Sequence, residues 1–365
     1  MIPLFKVRMA EEASDAVTKV LNSGFIGQGE GVEQFEDLLW EELGTDVRPI
    51  TVNSCTSAID LALHLCDVGP GDEVISTPQT CFASQVGMLH RHAVIRWADI
   101  DPETGLIDVE SVKKLISPNT KAIVAVNWAG KICDFAALKA FGVPVIEDAA
   151  HTWDCFLHEP LERGDYRCYS FQAIKFLTCS DGGLLVTPPE KQERARLLRW
   201  YGLDRTKNES FRCTQNIEEA GFKYHMNDVC AAIGISNIQA ACDSVLKHRK
   251  NARYYSSELA DCKTVKVLPY DRDCSYWLYS VLVKEGTKEE FIEFLKDQGI
   301  TASPVHHRND NYACTAAFKE GELPGVDAFY REQVSIPVGW WLNSRDLSHI
   351  VDTIKRYKVY KCTDL

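Results

Sequence analysis

Between residues 49 and 187 the chain repeats a pattern that few architectures satisfy. Seven short apolar runs, at 49–52, 73–76, 93–97, 122–127, 143–147, 166–171 and 183–187, alternate with helical segments such as 57–66 and 136–141. A run that is apolar at nearly every position is buried on both faces, and helical crossovers between such runs give a mostly parallel sheet covered by helices on each side. The expected class is therefore α/β with a seven-stranded sheet. Ligands of such sheets lie beyond the carboxyl ends of the strands, so chemistry is sought in the residues just after each run.

The flanks fit around this centre. The chain opens Ile2-Pro-Leu-Phe5 and continues into a helical pattern with Val17, Val20 and Leu21 on one face. Segment 23–31 comes next, and its four glycines let backbone approach a ligand or a partner chain. A second helix, 32–42, carries Phe35, Leu38 and Leu39 at helical spacing. Beyond Pro188-Pro189 come helices at 190–201 and 227–240, the latter running into a basic helix with Lys247, Arg249, Lys250 and Arg253, read as a solvated face. The character changes near 255–265. The remainder of the chain reads as a smaller α+β unit with strands at 276–283 and 335–337 and helices at 288–298 and 344–357. The expected division is 1–250 for a large domain and 251–365 for a small C-terminal one, with the N-terminal segment packing against the latter.

Charge and cysteine usage exclude some classes. Acidic residues outnumber basic ones 52 to 40, a net charge of −12, whereas a nucleic-acid binder clusters Lys and Arg against phosphate. A single anionic small molecule needs only a local site. The 14 cysteines are scattered, with no CxxC pair and no charged-then-apolar leader, as expected of free thiols in a reducing cytoplasm. No apolar run approaches the roughly 20 residues that span a bilayer.

The strand ends hold the candidate chemistry. Lys175 lies between apolar neighbours in the stretch 170–183, where lost hydration disfavours the ammonium and leaves a nucleophilic amine, the property of a Schiff-base lysine. After the first run, Asn53-Ser-Cys-Thr-Ser57 puts hydroxyls and free N–H groups at a helix N-terminus, which suits a phosphate, although Ser and Thr also cap ordinary helices. After the second run Phe82 offers a ring on a loop, or a core side chain. The fifth run ends in Glu147-Asp148-Ala-Ala-His151. Asp148, buried at a strand end, needs a cationic or donating partner; a protonated pyridine nitrogen would serve, and so would a helix N-cap role. His151 alone reads as a core histidine. Lys175 comes 27 residues after Asp148, on the loop leaving the next strand. Lysine, pyridinium partner, phosphate cup and stacking ring are together what a protein supplies to pyridoxal 5′-phosphate (PLP).

These blocks resemble the DegT/DnrJ/EryC1/StrS sugar aminotransferases, PLP-dependent enzymes of the aspartate aminotransferase fold, fold type I. The resemblance spans nearly the whole chain and includes Ile2-Pro-Leu, Asn53 to Ala58, Gly69-Pro-Gly-Asp-Glu-Val74, Asp99-Ile-Asp101, Glu147 to His151, Ser170-Phe171 with Lys175, Gly182-Gly183 and Ile336-Pro337. It implies that Lys175 forms the Schiff base, Asp148 pairs with the pyridine nitrogen, and His151 lies near the phenolic oxygen. It further implies that Phe82 stacks on the ring while Thr56, Ser57 and Ser170 hold the phosphate. Members are homodimers whose partner chain completes each site, commonly with an Asn from a Gly-Tyr-Asn-Tyr-Arg block. Here that block reads Gly221-Phe-Lys-Tyr-His225, so Lys223 stands where the Asn usually does, and Cys81 stands where Thr is usual. A dehydratase branch carries His in place of the lysine; Lys175 argues against it.

The implied reaction is transamination from an amino acid, L-glutamate, to a nucleotide-linked keto sugar, at C4 of a 4-keto-6-deoxy sugar. Phe25 and Ile26 in the glycine-rich loop and His306, His307, Arg308 and Tyr312 are the expected substrate contacts, with the cationic and donating groups facing the diphosphate. A solvated loop is the plain alternative for 305–312. Other readings are amination at C3, a PLP enzyme acting on amino acids, and a non-catalytic PLP-binding or sugar-sensing protein.

Overall fold

The computed structural model describes residues 1–155, 161–207 and 214–357. Two helices, α1 (Ala13–Ser23) and α2 (Glu30–Leu43), precede the sheet. All seven apolar runs are strands: β1 (Ile50–Val52), β2 (Glu73–Ser76), β3 (Val94–Trp97), β4 (Thr120–Val126), β5 (Val145–Asp148), β6 (Tyr166–Ser170) and β7 (Gly183–Val186). Between them run α3 (Cys55–Leu65), α4 (Ala83–His90), α5 (Val109–Leu115) and α6 (Phe135–Lys139). The strand order is β1-β7-β6-β5-β4-β2-β3, parallel throughout except that β7 lies antiparallel to both of its neighbours.

Register decides where the site falls. Val126 stands opposite Asp148, and Asp148 opposite Cys168, so β4 and β5 end level while β6 runs two residues further to Ser170. Nearly every position of α3 is buried, because the helix packs against the sheet on one side and under α4 and α7 (Gln192–Arg199) on the other. Its start is set by a close crossing. A Cβ on Gly183 would lie 2.5 Å from the Ser54 carbonyl carbon, so only glycine lets β7 pass beneath the first turn of α3.

The long helix α8 (Asp228–Glu258) joins the 227–240 helix and the basic helix that it was expected to run into, and it crosses the expected boundary at residue 250. By length and composition it could cross a bilayer, contrary to the expectation from apolar runs; here it packs against α1 and α2, with Ala231, Ala241 and Val245 in the main core. The basic run is not uniformly solvated. Arg249 is buried, its guanidinium donating to the Cys274 carbonyl at 3.0 Å and the Asp273 carbonyl at 2.8 Å.

The C-terminal part forms a separate antiparallel sheet from β8 (Val265–Val267), β9 (Tyr279–Val283) and β10 (Gln333–Ile336), order β10-β9-β8, with α9 (Lys288–Asp297), α10 (Pro324–Glu332) and α11 (Ser344–Arg356). The N-terminus joins this unit: the Ile2 N–H donates to the Gly299 carbonyl at 2.7 Å, and the Thr301 N–H to the Ile2 carbonyl at 2.9 Å.

One buried acid holds the N-terminal helices to the sheet. Glu36 of α2 accepts from the Thr51 N–H and hydroxyl of β1, both at 2.9 Å, and from Arg199 at 2.5 Å and Arg196 at 3.0 Å on α7. Removing it strands the buried Arg199 guanidinium without a counter-charge. Glu36→Ala should cost about 3–5 kcal/mol in urea unfolding. Arg196→Ala, whose side chain is partly exposed, should cost about 1 kcal/mol or less.

Candidate active site

Successive residues of a strand face opposite sides of the sheet, and β5 uses this to separate two adjacent carboxylates. Glu147 turns to Arg163, which donates through Nε at 3.0 and 3.1 Å, and also accepts from the Gly164 N–H at 3.0 Å and the Asn127 amide at 2.6 Å. Asp148 turns the other way. Its Oδ2 accepts from the Ser84 hydroxyl at 2.7 Å and its Oδ1 from the Ala150 N–H at 3.0 Å. Among the described residues no cation pairs with it, and burial raises its carboxyl above the ordinary value despite those two hydrogen bonds. A buried carboxylate satisfied on one side only by neutral donors suits a ligand that brings a positively charged N–H.

Lys175 sits on the turn after β6. The turn is closed by the Lys175 N–H donating to the Gln172 carbonyl at 2.9 Å and, at its base, by the Cys179 N–H donating to the Phe171 carbonyl at 2.9 Å. The residue as a whole is half-buried, but its Nζ lies 3.4 Å from the centroid of the Trp277 indole. Burial lowers its pKa to about 8, against the pull of Asp148, whose charge it feels.

His151 completes the group. Its ring stacks on Trp277 at 4.1 Å and 23°, lies parallel to His306 at 5.6 Å and 4°, and meets the edge of Trp128 at 5.9 Å. The Ala129 N–H donates to Nδ1 at 3.3 Å, so the neutral ring carries its proton on Nε2. Burial, with the Lys175 and His306 charges, pushes the imidazolium well below its usual range, so His151 is neutral near pH 7.

At the start of α3, Ser54 caps the helix by accepting from the Ser57 N–H at 3.1 Å, and the Ser57 hydroxyl donates to Asn53 at 2.7 Å. Thr56 lies in the same turn, and Ser170 ends β6 alongside. Phe82, just before α4, is partly exposed and meets Tyr312 edge-on at 5.1 Å. Loop 305–312 is joined to the β2–α4 connection by Asn309, whose N–H donates to the Pro78 carbonyl at 2.9 Å and whose amide donates to Gln85 at 2.6 Å. The structure thus brings His306, His307 and Tyr312 to the Phe82 side of the site. Arg308 is engaged: Asp310 holds it through two 2.7 Å bonds and Asp327 takes its Nη1, so its part in the loop is structural within this chain.

Three expected contacts stand apart. Phe25 is 85% and Ile26 52% exposed. Lys223 is exposed too; its carbonyl accepts from Asn53 at 3.3 Å. The neighbouring glycines approach Asp228 at the start of α8, which accepts from the Gly29 N–H at 2.8 Å and the Val32 N–H at 3.1 Å. Sequence reasoning missed Ser84, Trp277 and Asn309. Ser84 carries no signal beyond its place in the first turn of a helix after a strand. Trp277 and Asn309 come from distant parts of the chain. Among the described residues no cluster of His, Cys, Asp and Glu is arranged to hold a metal ion.

Comparison with known proteins agrees with this geometry. The model of the DegT/DnrJ/EryC1/StrS aminotransferase family matches residues 7–355. The structure of AtS13 from Actinomadura melliaura superposes with a TM-score of 0.92 at 39% identity, covering 98% of this chain and 99% of that one. The sugar aminotransferase CalS13 from Micromonospora echinospora gives 0.90 at 36% identity over 97% and 99%. The spore coat polysaccharide biosynthesis protein SpsC of Bacillus subtilis is 29% identical over 95% of this chain and 94% of its own length.

An amine attacks an aldehyde only when neutral. The rate at which the cofactor-free chain captures PLP should therefore rise with pH through about 8, well below the 10.5 of an ordinary lysine. Stopped-flow absorbance checks this; a rise that begins only near 10 contradicts it.

Proposed function

The chain belongs to the DegT/DnrJ/EryC1/StrS aminotransferase family, PLP-dependent sugar aminotransferases, and from that premise we propose the particular reaction it performs. It transfers the amino group of L-glutamate to C4 of a 4-keto-6-deoxy sugar linked to a nucleoside diphosphate. The observation that carries the chemistry is a buried Asp148 with no ion-pair partner among the described residues, near enough to a lysine of depressed basicity to feel its charge, with a neutral His151 on the same indole as that lysine. The sugar and its position rest on the overall likeness of the motif blocks to that branch of the family.

Each residue has a task. Asp148 holds a proton on the ring nitrogen of the cofactor. Thr56, Ser57 and Ser170, with the N–H groups of the first turn of α3, take its phosphate. His151 offers Nε2–H to the phenolic oxygen, and Phe82 covers the ring. Bound there, PLP supplies an electron-accepting ring and carries the amino group from one substrate to the other. Lys175, once free, acts as base and then acid at Nζ, moving the proton from the α carbon of glutamate to the C4′ carbon of the cofactor in the first half-reaction and from C4′ to the sugar carbon in the second. The Trp277 indole, on whose face the amine rests, shields that proton from water on one side.

The assembly we propose is a homodimer that completes each site. Exposed Phe25, Ile26 and Lys223 support it, since one chain leaves two large apolar groups and a cation in the open beside loops tied to α3 and α8. Lys223 then reaches the phosphate of the neighbouring site in place of the usual Asn, while His306, His307 and Tyr312 meet the nucleotide sugar. A cytoplasmic location fits the described cysteines, none of which is in a disulfide.

Incubating the chain with PLP, L-glutamate and nucleotide-linked 4-keto-6-deoxy sugars should yield an aminated sugar and 2-oxoglutarate by mass spectrometry, with the new C–N bond at C4 by NMR. Amination at C3 would move the assignment to the other position, and no product from any keto sugar would sink it. Lys175→Ala should lose roughly 10²–10⁴-fold in turnover and Asp148→Asn about 10²-fold or more, with the fold retained by circular dichroism. Activity kept in either variant counts against its role.

A further inference from the structure

Trp277, just before β9 in the small unit, touches both reactive groups of the site. The Lys175 Nζ lies 3.4 Å above its ring, and the His151 imidazole stacks on the same indole at 4.1 Å. Its Nε1–H donates to the Ile174 carbonyl at 2.9 Å, the residue before the lysine, so the indole is tied to the loop whose amine rests on its face. Phe5 stacks on it from the N-terminal segment at 4.9 Å. The backbone around it is strained in a way that only dense support maintains: Tyr276 has φ 53°, and Val305 and Ala129, next to His306 and bonded to His151, have φ 68° and 60°.

We propose that Trp277 is a positioning residue for transamination, seating the Lys175 ammonium whenever that lysine is not bonded to the cofactor and holding His151 flat beside it. The inference rests on Lys175 being the cofactor-bonding lysine.

Transamination frees the lysine in each half-reaction, and the amine must stay within reach while it gains and loses a proton. The charged and titratable groups that face it are Asp148, the thiols of Cys55 and Cys81, and the imidazoles of His151 and His306. Lys6, Arg8 and His248 line the pocket on its other side. Asp148 is the carboxylate among them, and it is neutralised by the ring nitrogen when the cofactor is in place. What then remains to attract an ammonium is the face of an indole, which stabilises the charge without taking the proton and holds it weakly enough to release it.

The test is the protonation of Lys175 in the full chain freed of cofactor, measured by trace reductive methylation with formaldehyde and cyanoborohydride across pH and read by peptide mass spectrometry. Trp277→Leu keeps water out but removes the π face, so the midpoint should fall by about one pH unit; Trp277→Phe, which keeps a ring, should lie between leucine and native. If leucine does not pack, Trp277→Met serves the same comparison. A midpoint for the leucine or methionine variant equal to or above native would overturn the role of Trp277 alone. A native chain whose Lys175 is methylated as readily with PLP bound as without it would overturn the assignment of Lys175, and this inference with it.

Discussion

Asp148 sits at the carboxyl end of a fully buried strand with a serine hydroxyl and a backbone amide as its partners, while Glu147, one residue earlier, has drawn Arg163 to the opposite face. The two carboxylates differ by one step of strand alternation, and that step decides their uses. Glu147 is a structural anion, closed on itself by its guanidinium. Asp148 is hydrogen-bonded by neutral donors alone, and among the described residues no cation lies within ion-pair distance of it, although it feels the charge of Lys175. A buried carboxylate without an ion-pair partner is costly, and one kept at a strand end is a candidate ligand site.

The rest of the structure delivers partners to that point. β4 and β5 end level at Asp148, β6 runs two residues further to Ser170, and the turn after β6 brings Lys175 near enough to feel the Asp148 charge. Gly183 lets β7 pass under Ser54, which fixes where α3 begins and therefore where its N–H groups point. The small unit contributes the aromatic wall, with Trp277 and His306 on either side of His151, and the N-terminal segment closes it through Phe5. Three elements distant in sequence thus share one set of rings, and motion of the small unit against the sheet would be felt by the lysine loop directly.

How much of this was legible in the sequence depended on range. The seven strands were readable because burial on both faces leaves a local mark, an apolar run with turn residues at each end. The Asp148 and Lys175 pair was readable because both lie at ends of such runs, at a spacing set by one crossover and one strand. The basic part of α8 was misread as a solvated face, since buried Asn237, Ser244 and Arg249 alternate along the helix with apolar positions and their satisfaction comes from elsewhere, as when Arg249 reaches the carbonyls of Asp273 and Cys274. Trp277 and Asn309 were invisible for the same reason: each acts on residues at least 100 positions away, and no local pattern records it. Arg308 shows the converse, a residue whose type suggested a diphosphate contact but whose neighbours Asp310 and Asp327 already occupy its donors.

The central claim is that Lys175, opposite Asp148, is the residue that bonds the cofactor. Borohydride reduction of the PLP-loaded chain makes that bond permanent, and proteolysis with mass spectrometry then finds which lysine carries the added mass. The account predicts the pyridoxyl group on the peptide containing Lys175 and on no other. Finding it on a different lysine, with Lys175 unmodified, would contradict the assignment of the site.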